Sequence, residues 1–173
     1  MKIEYNNHIE TDLPKISHLA SIREDENFRF RAFLKSKDSD KVDTIVHRLH
    51  EEITKQIDCT LCGNCCCNLK LRLYKEDIET LSRLENVSSE SYEQNHCETD
   101  AFKEIFFKTT PCRYLEKTKC RIYESRPKQC REFPYTHKKG FTSRSLGMID
   151  FYEICPIVFN LMERLKDEMR FRR

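Results

Sequence analysis

Tryptophan is absent from the 173 residues, glycine occurs three times and proline five times. Chain breakers this scarce exclude collagen-like and low-complexity linker architectures, which they dominate. Neither charge sign prevails, since 31 Lys and Arg face 29 Asp and Glu for a formal charge of +2. A chain so near neutrality has no whole-molecule field to draw nucleic acid, and none is expected as a ligand. Long apolar runs are missing too, and a membrane-spanning helix needs roughly 20 such residues. The opening stretch MKIEYNNHIETDLPK has neither the apolar core nor the cleavage site of a secretory signal. The expectation is a cytoplasmic protein without membrane attachment.

The first 58 residues also lack cysteine, and all ten cysteines fall in the 97 residues from Cys59 to Cys155. About 6% cysteine is the one large compositional deviation. In a reducing cytosol so many thiols do not read as a disulfide framework, and metal or redox chemistry becomes the leading explanation. The shift divides the chain into a helical arm, residues 1–57, and a cysteine-cluster domain, residues 58–173.

Within the arm, Asp12-Leu13-Pro14 reads as a helix start, with an Asp cap and proline in the first turn. Residues Lys15 to Lys35 carry an imperfect helical pattern. After Ser39-Asp40 the apolar positions Val42, Ile45, Val46, Leu49, Ile53 and Ile57 recur at three- and four-residue steps, giving a helix that ends just before Cys59. That stripe reads as packed on the body or the preceding helix, since about two heptads are too few for a coiled coil.

In the body, Leu69 to Leu73 alternates like a short strand. Lys75 to Leu84 reads as a helix with acidic residues in its first turn, and Asn86 to Thr99 as polar loop with a loose turn. Ala101 to Thr109 reads as a strand, Cys112 to Tyr123 as a hairpin turning at Glu116–Lys119, and Cys155 to Arg170 as a closing helix. The fold class is α+β, a small metal-organised domain with an N-terminal helical arm and a C-terminal helix.

Cys59, Cys62 and Cys65 form C-x2-C-x2-C, followed directly by Cys66 and Cys67. Two-residue gaps let successive thiolates converge on one centre. The same spacing begins the bacterial ferredoxin run, whose fourth ligand is a distant Cys-Pro, a part Cys155-Pro156 can fill. Gly63 suits the tight backbone of such a loop. Cys112, Cys120 and Cys130 form a second group, and a hairpin can join the first two. Eight thiols are therefore candidate metal ligands: Cys59, Cys62, Cys65, Cys66, Cys112, Cys120, Cys130 and Cys155. They suffice for two four-coordinate centres, or for one cluster with spare ligands. Arg126 and Arg131 flank Cys130 and are candidates to stand beside an anionic thiolate centre, with surface pairing to Glu124 or Glu132 as the plainer alternative. Tyr123, Phe133 and Tyr135 read as packing over the site. His47 and His50 read as solvated helix residues.

The stretches CTLCGNCC (Cys59 to Cys66), YKEDIETL (Tyr74 to Leu81), PCRYL (Pro111 to Leu115) and CRIYESRPKQCREFP (Cys120 to Pro134), with Cys155-Pro156, resemble the CxxCxxCC family of bacterial cysteine-cluster proteins. The resemblance covers roughly residues 57 to 160 and implies a zinc or iron centre, without implying a reaction. Cys67 and Cys97 depart from the family pattern and read as non-ligand thiols. The flagellin lysine N-methylase block is also similar, but the chain has no glycine-rich nucleotide loop for a methyl donor. Nor does it carry a C-x3-C-x2-C run, GxSxG, HExxH or a P-loop.

The ferredoxin-like triplet, and the absence of paired CxxC knuckles, favour an iron–sulfur cluster over zinc as cofactor. The expected role is redox or metal handling. The alternative is a zinc-structured module that binds a protein partner through the arm, where the metal contributes folding energy.

Overall fold

The computed structural model describes residues 9–173. Residues 1–8, which hold the start of the arm and part of the stretch read for a secretory signal, lie outside the described residues. In chain order the elements are α1 (Leu13–Ile22), α2 (Glu24–Lys35), α3 (Ser39–Thr54), α4 (Cys59–Cys62), α5 (Asn64–Asn68), β1 (Arg72–Leu73), α6 (Lys75–Leu84), α7 (Ser89–His96), β2 (Cys97–Thr99) and β3 (Ile105–Phe107). There follow β4 (Leu115–Glu116), β5 (Lys119–Cys120), a 3-10 turn (Tyr123–Ser125), α8 (Lys128–Glu132), α9 (Phe141–Ile154) and α10 (Pro156–Glu168). The fold is α+β.

These elements form two compact units, one of the described residues up to Asp58 with Pro134–Arg173, the other of Cys59–Phe133. Compactness therefore groups residues 134–173 with the arm, whereas the sequence reading joined them to the cysteines. The cause is the α3 stripe. Val42, Val46, Leu49 and Ile53 are almost fully buried, and α3 packs on α9 and α10.

In the helical unit, Asp12 caps α1 by accepting the Lys15 N–H at 2.9 Å, with proline in the first turn. The imperfect helical pattern over Lys15–Lys35 resolves into two helices that meet at Arg23, whose side chain reaches Glu163 at 2.5 Å. Helix α9 has no counterpart in the sequence expectations. Its buried face includes Thr142 and Ser145 while Leu146 is half exposed, so hydropathy does not trace the packed face. Among the described residues no single helix is long and apolar enough to cross a membrane. Helices α9 and α10 reach that length and composition only together, across a 120° bend.

Lys166 is fully buried in this unit, between Glu26 and Glu163, each at 2.7 Å. Burial pushes the Glu163 carboxyl up, but Lys166, Arg173 and Arg23 outweigh it and hold its pKa below the ordinary 4.5. The stabilisation is therefore complete above pH 4.5 and is lost as pH falls through the lower folded value. Glu163→Gln is expected to cost about 3 kcal/mol at neutral pH. The cost should shrink on acidification, as read from urea unfolding at several pH values.

The cysteine-bearing unit has a small antiparallel sheet of order β1-β3-β2, with Arg72 opposite Phe106 and Cys97 opposite Phe107. Leu71, Leu73, Ile78, Leu81, Tyr92, Phe107 and Tyr114 form its core. Against that core pack Cys112, Cys120, Ile122 and Cys130. The expected strand over Ala101–Thr109 is shortened to Ile105–Phe107, because Asp100 accepts the Phe102 and Glu104 N–H groups at 2.9 Å and shapes a turn. Residues Ser89–His96, read within a polar loop with a loose turn, are a full helix started by the Ser88 cap. Only Tyr92 is fully buried on it, which leaves no stripe to read. The 115–120 hairpin forms as expected.

Candidate metal centre

The cysteine triplet is built as a turn of helix, a reversal and a second short helix. Cys59 and Cys62 lie on α4, Gly63 reverses the chain at φ +63°, and Cys65, Cys66 and Cys67 follow on α5. A Cβ on residue 63 would stand 2.7 Å from the Thr118 carbonyl oxygen, in the turn of the β4–β5 hairpin. Glycine is thus required twice, for its left-handed backbone and for the close approach. Helix α4 packs beside β5, which ends in Cys120. The Cys112 N–H donates to the Cys66 carbonyl at 2.8 Å. Backbone contacts therefore join the two cysteine groups before any metal is considered.

Cys130 is placed by α8, itself pinned at its first two residues. Asp77, buried at the start of α6, accepts the Tyr74 N–H at 2.9 Å and the Lys128 N–H at 2.8 Å. Gln129 accepts the Arg72 N–H of β1 at 2.5 Å. The YKEDIETL stretch thus helps to orient a cysteine more than fifty residues later.

Four thiols neighbour one another electrostatically. Cys66 acts on Cys112, Cys120 and Cys130, and Cys130 also feels Cys112 and Cys120. Burial pushes Cys130 up to about 12, with the other three thiols adding to it. Burial likewise raises Cys112 and Cys120. Cys66 differs, because a hydrogen bond with the Cys65 thiol brings it down to about 7.

Donors face these sulfurs. The Tyr114 N–H donates to Cys112 and the Ile122 N–H to Cys120, and both bonds favour thiolate. The Arg126 guanidinium favours thiolate at Cys66, Cys120 and Cys130. It lies 3.7 Å from the Tyr123 ring centroid, and its buried Nε has no hydrogen-bond partner. An orphaned buried donor costs roughly 1–3 kcal/mol, a penalty that an adjacent anion would relieve. Arg131 instead donates to the Arg126 carbonyl at 2.5 Å and braces the turn.

The remaining candidates are spread differently. Cys59 is exposed, and Cys62 and Cys65 are half-buried. Cys155 belongs to the helical unit, buried at the N-cap of α10. Cys67 is exposed, whereas Cys97 lies in the core, where burial pushes it up to about 11. Tyr135 also belongs to the helical unit, against Phe151. His50 is no solvated residue there: its Nδ1 lies 2.8 Å from the Thr136 hydroxyl, and the His47 Nε2 is buried.

Among the described residues no three His, Cys, Asp or Glu side chains stand ready to hold a metal ion. The quartet is a set of neighbouring thiols rather than a closed cage. Its chemistry nevertheless fits a soft-ligand centre, since it is all sulfur, faced by N–H donors and one cation. Sequence reasoning missed Asp77 as an anchor of α8 and the Tyr114 and Ile122 amides as donors to sulfur. Amides carry no sequence signal, and Asp77 read only as a first-turn acid.

A search of the curated proteins and of the solved structures finds no match to the chain. The model of the CxxCxxCC family, described as "Putative zinc- or iron-chelating domain", matches residues 58–154. The match spans more than half of the chain and seven of the eight candidate ligands, stopping one residue before Cys155. The chain belongs to the CxxCxxCC family of zinc- or iron-chelating domains.

Proposed function

We propose that the cysteine-bearing unit chelates an iron–sulfur cluster, with Cys66, Cys112, Cys120 and Cys130 as the principal ligands and a redox or metal-handling role. The observation that carries this reading is the quartet itself, four mutually neighbouring thiols with amide donors on two of them and the orphaned Arg126 Nε beside them. N–H groups and a guanidinium at the sulfurs withdraw electron density, and such contacts tune the potential of a cluster. Cys59, Cys62 and Cys65 supply further ligands from α4 and α5, in the ferredoxin-like spacing that favours iron–sulfur over zinc. Cys155 is the remaining candidate. Such a centre, when bound, supplies one-electron chemistry or a transferable metal.

The chain's own part is to gather the thiols, surrender their protons and stabilise the thiolates. Burial of Cys112, Cys120 and Cys130 keeps them protonated without metal, so loading releases protons and is coupled to closure of the cage. A chain with ten cysteines, read as metal ligands and thiols, suits a reducing compartment, which supports a cytoplasmic location. Anaerobic purification followed by iron, zinc and sulfide analysis and a visible spectrum tests the reading. Iron with sulfide and a coloured protein are expected. A colourless protein with stoichiometric zinc overturns it in favour of a zinc-structured module that binds a partner through the arm.

A further inference from the structure

Two histidines meet in the helical unit at a place the cysteine chemistry does not use. His50 lies on α3 and His137 in the segment between α8 and α9, with ring centroids 5.6 Å apart. His50 is half-buried and His137 exposed, so the pair opens to solvent on the His137 side.

The segment that carries His137 is braced from two helices. Asp43, buried on α3, accepts the Gly140 N–H at 2.6 Å and the Phe141 N–H at 2.9 Å. Arg144 on α9 donates to the Tyr135, Lys138 and Lys139 carbonyls at 2.9, 2.5 and 3.0 Å. These contacts sustain a left-handed backbone at Tyr135, φ +64°, which is strained for any residue with a Cβ. Just past that turn Thr136 is fully buried, and its hydroxyl lies 2.8 Å from His50 Nδ1.

That contact sets which nitrogen of His50 can act. A proton on Nδ1, donated to the Thr136 oxygen, leaves the lone pair on Nε2. Metal-bound histidines are oriented in the same way, by a hydrogen bond on the ring nitrogen that does not touch the metal. Burial, and then His137 and His47, hold the His50 pKa below the ordinary 6.5, so the ring is neutral and able to ligate at neutral pH. The spacing of the rings also fits. With metal–nitrogen bonds of roughly 2 Å at a tetrahedral angle, two imidazoles on one ion have centroids about 5 Å apart. His47 lies one turn earlier on α3, and its buried Nε2 has no hydrogen-bond partner. Among the described residues no three His, Cys, Asp or Glu side chains are poised around one point, so water fills the other positions.

We propose that His50 and His137 form a further site for a divalent transition metal such as Zn²⁺, held by two imidazole nitrogens with water completing the shell. Thr136 is its positioning residue. Imidazole suits zinc, copper and nickel alike, and water-filled positions leave the ion exchangeable. The site does not depend on the cysteine centre, and either reading can fail without the other.

Proton–nitrogen NMR spectra of the imidazole rings test it, in full-length reduced protein titrated with zinc chloride beyond the amount the cysteines take up. The His50 and His137 signals should shift together, with one midpoint, after the thiol signals have stopped changing. His137→Ala should raise the zinc midpoint at His50 by more than about tenfold, since a ligand counts for at least as much as its supporting partner. Thr136→Val, which keeps the side-chain volume, should weaken binding about tenfold with unchanged circular dichroism. His18→Ala, on α1, should bind zinc at His50 as wild type does. A His50 midpoint unmoved by His137→Ala overturns the proposal, and so does a wild-type His50 signal that never shifts at millimolar zinc. Unchanged affinity in Thr136→Val overturns the role given to Thr136.

Discussion

Cys130→Ser is expected to lower metal affinity by more than about 100-fold, beyond the effect of losing an outer-shell partner. Cys130 is the most deeply buried of the four neighbouring thiols and interacts with the other three. Removing it leaves Cys66, Cys112 and Cys120 to close a centre around a missing corner. Serine oxygen is a hard donor, poorly matched to zinc or to an iron–sulfur cluster, both of which take thiolate readily. Cys67→Ser is the internal control, because Cys67 is exposed and outside the quartet, and it should bind as wild type. Metal retained after dialysis against a chelator separates the two variants. Wild-type retention in Cys130→Ser would remove Cys130 from the ligand set. The same serine keeps nearly the volume of the thiol, so the α8 anchors through Asp77 and Gln129 should persist. A fall in metal content with intact circular dichroism is therefore the expected pattern.

Gly63→Ala should destabilise the cysteine-bearing unit by about 3 kcal/mol, seen as a lower urea midpoint. Two costs combine. A left-handed backbone is strained for any residue with a Cβ, by roughly 1–3 kcal/mol. The new methyl also meets the Thr118 carbonyl oxygen at 2.7 Å, a backbone atom that cannot rotate away. Relief by moving α4 and α5 off the hairpin would part Cys66 from Cys112, so metal uptake should fall along with stability. Gly147→Ala is the matched control, since a Cβ there meets nothing within 4 Å and alanine favours a helix interior. A Gly63→Ala midpoint equal to wild type would mean that the loop does not need its left-handed turn.

Polar chemistry around the centre was legible to an uneven degree. C-x2-C-x2-C-C announced a centre because ligand spacing is a local property. Gly63 announced its turn because only glycine tolerates that backbone cheaply. Arg126 could be suspected from its place beside Cys130, but its buried, unpartnered Nε is a tertiary fact. Arg131 looked equivalent in sequence, yet its guanidinium is directed to the Arg126 carbonyl. Ser89–His96 and α9 escaped notice because their buried faces are small, polar or nearly absent.

The sequence by itself determined the class of chemistry, through the count and spacing of its thiols, and the α3 stripe with its three- and four-residue steps. It also determined the family, since the motif blocks lie in fixed order along the chain. Tertiary structure alone decided which thiols are neighbours, because Cys66, Cys112, Cys120 and Cys130 meet through backbone hydrogen bonds and a buried Asp77 that have no local signature. It alone decided that the residues after Phe133 group with the arm. The α3 stripe specifies that something apolar must cover it, and only the folded chain shows that α9 and α10 do so.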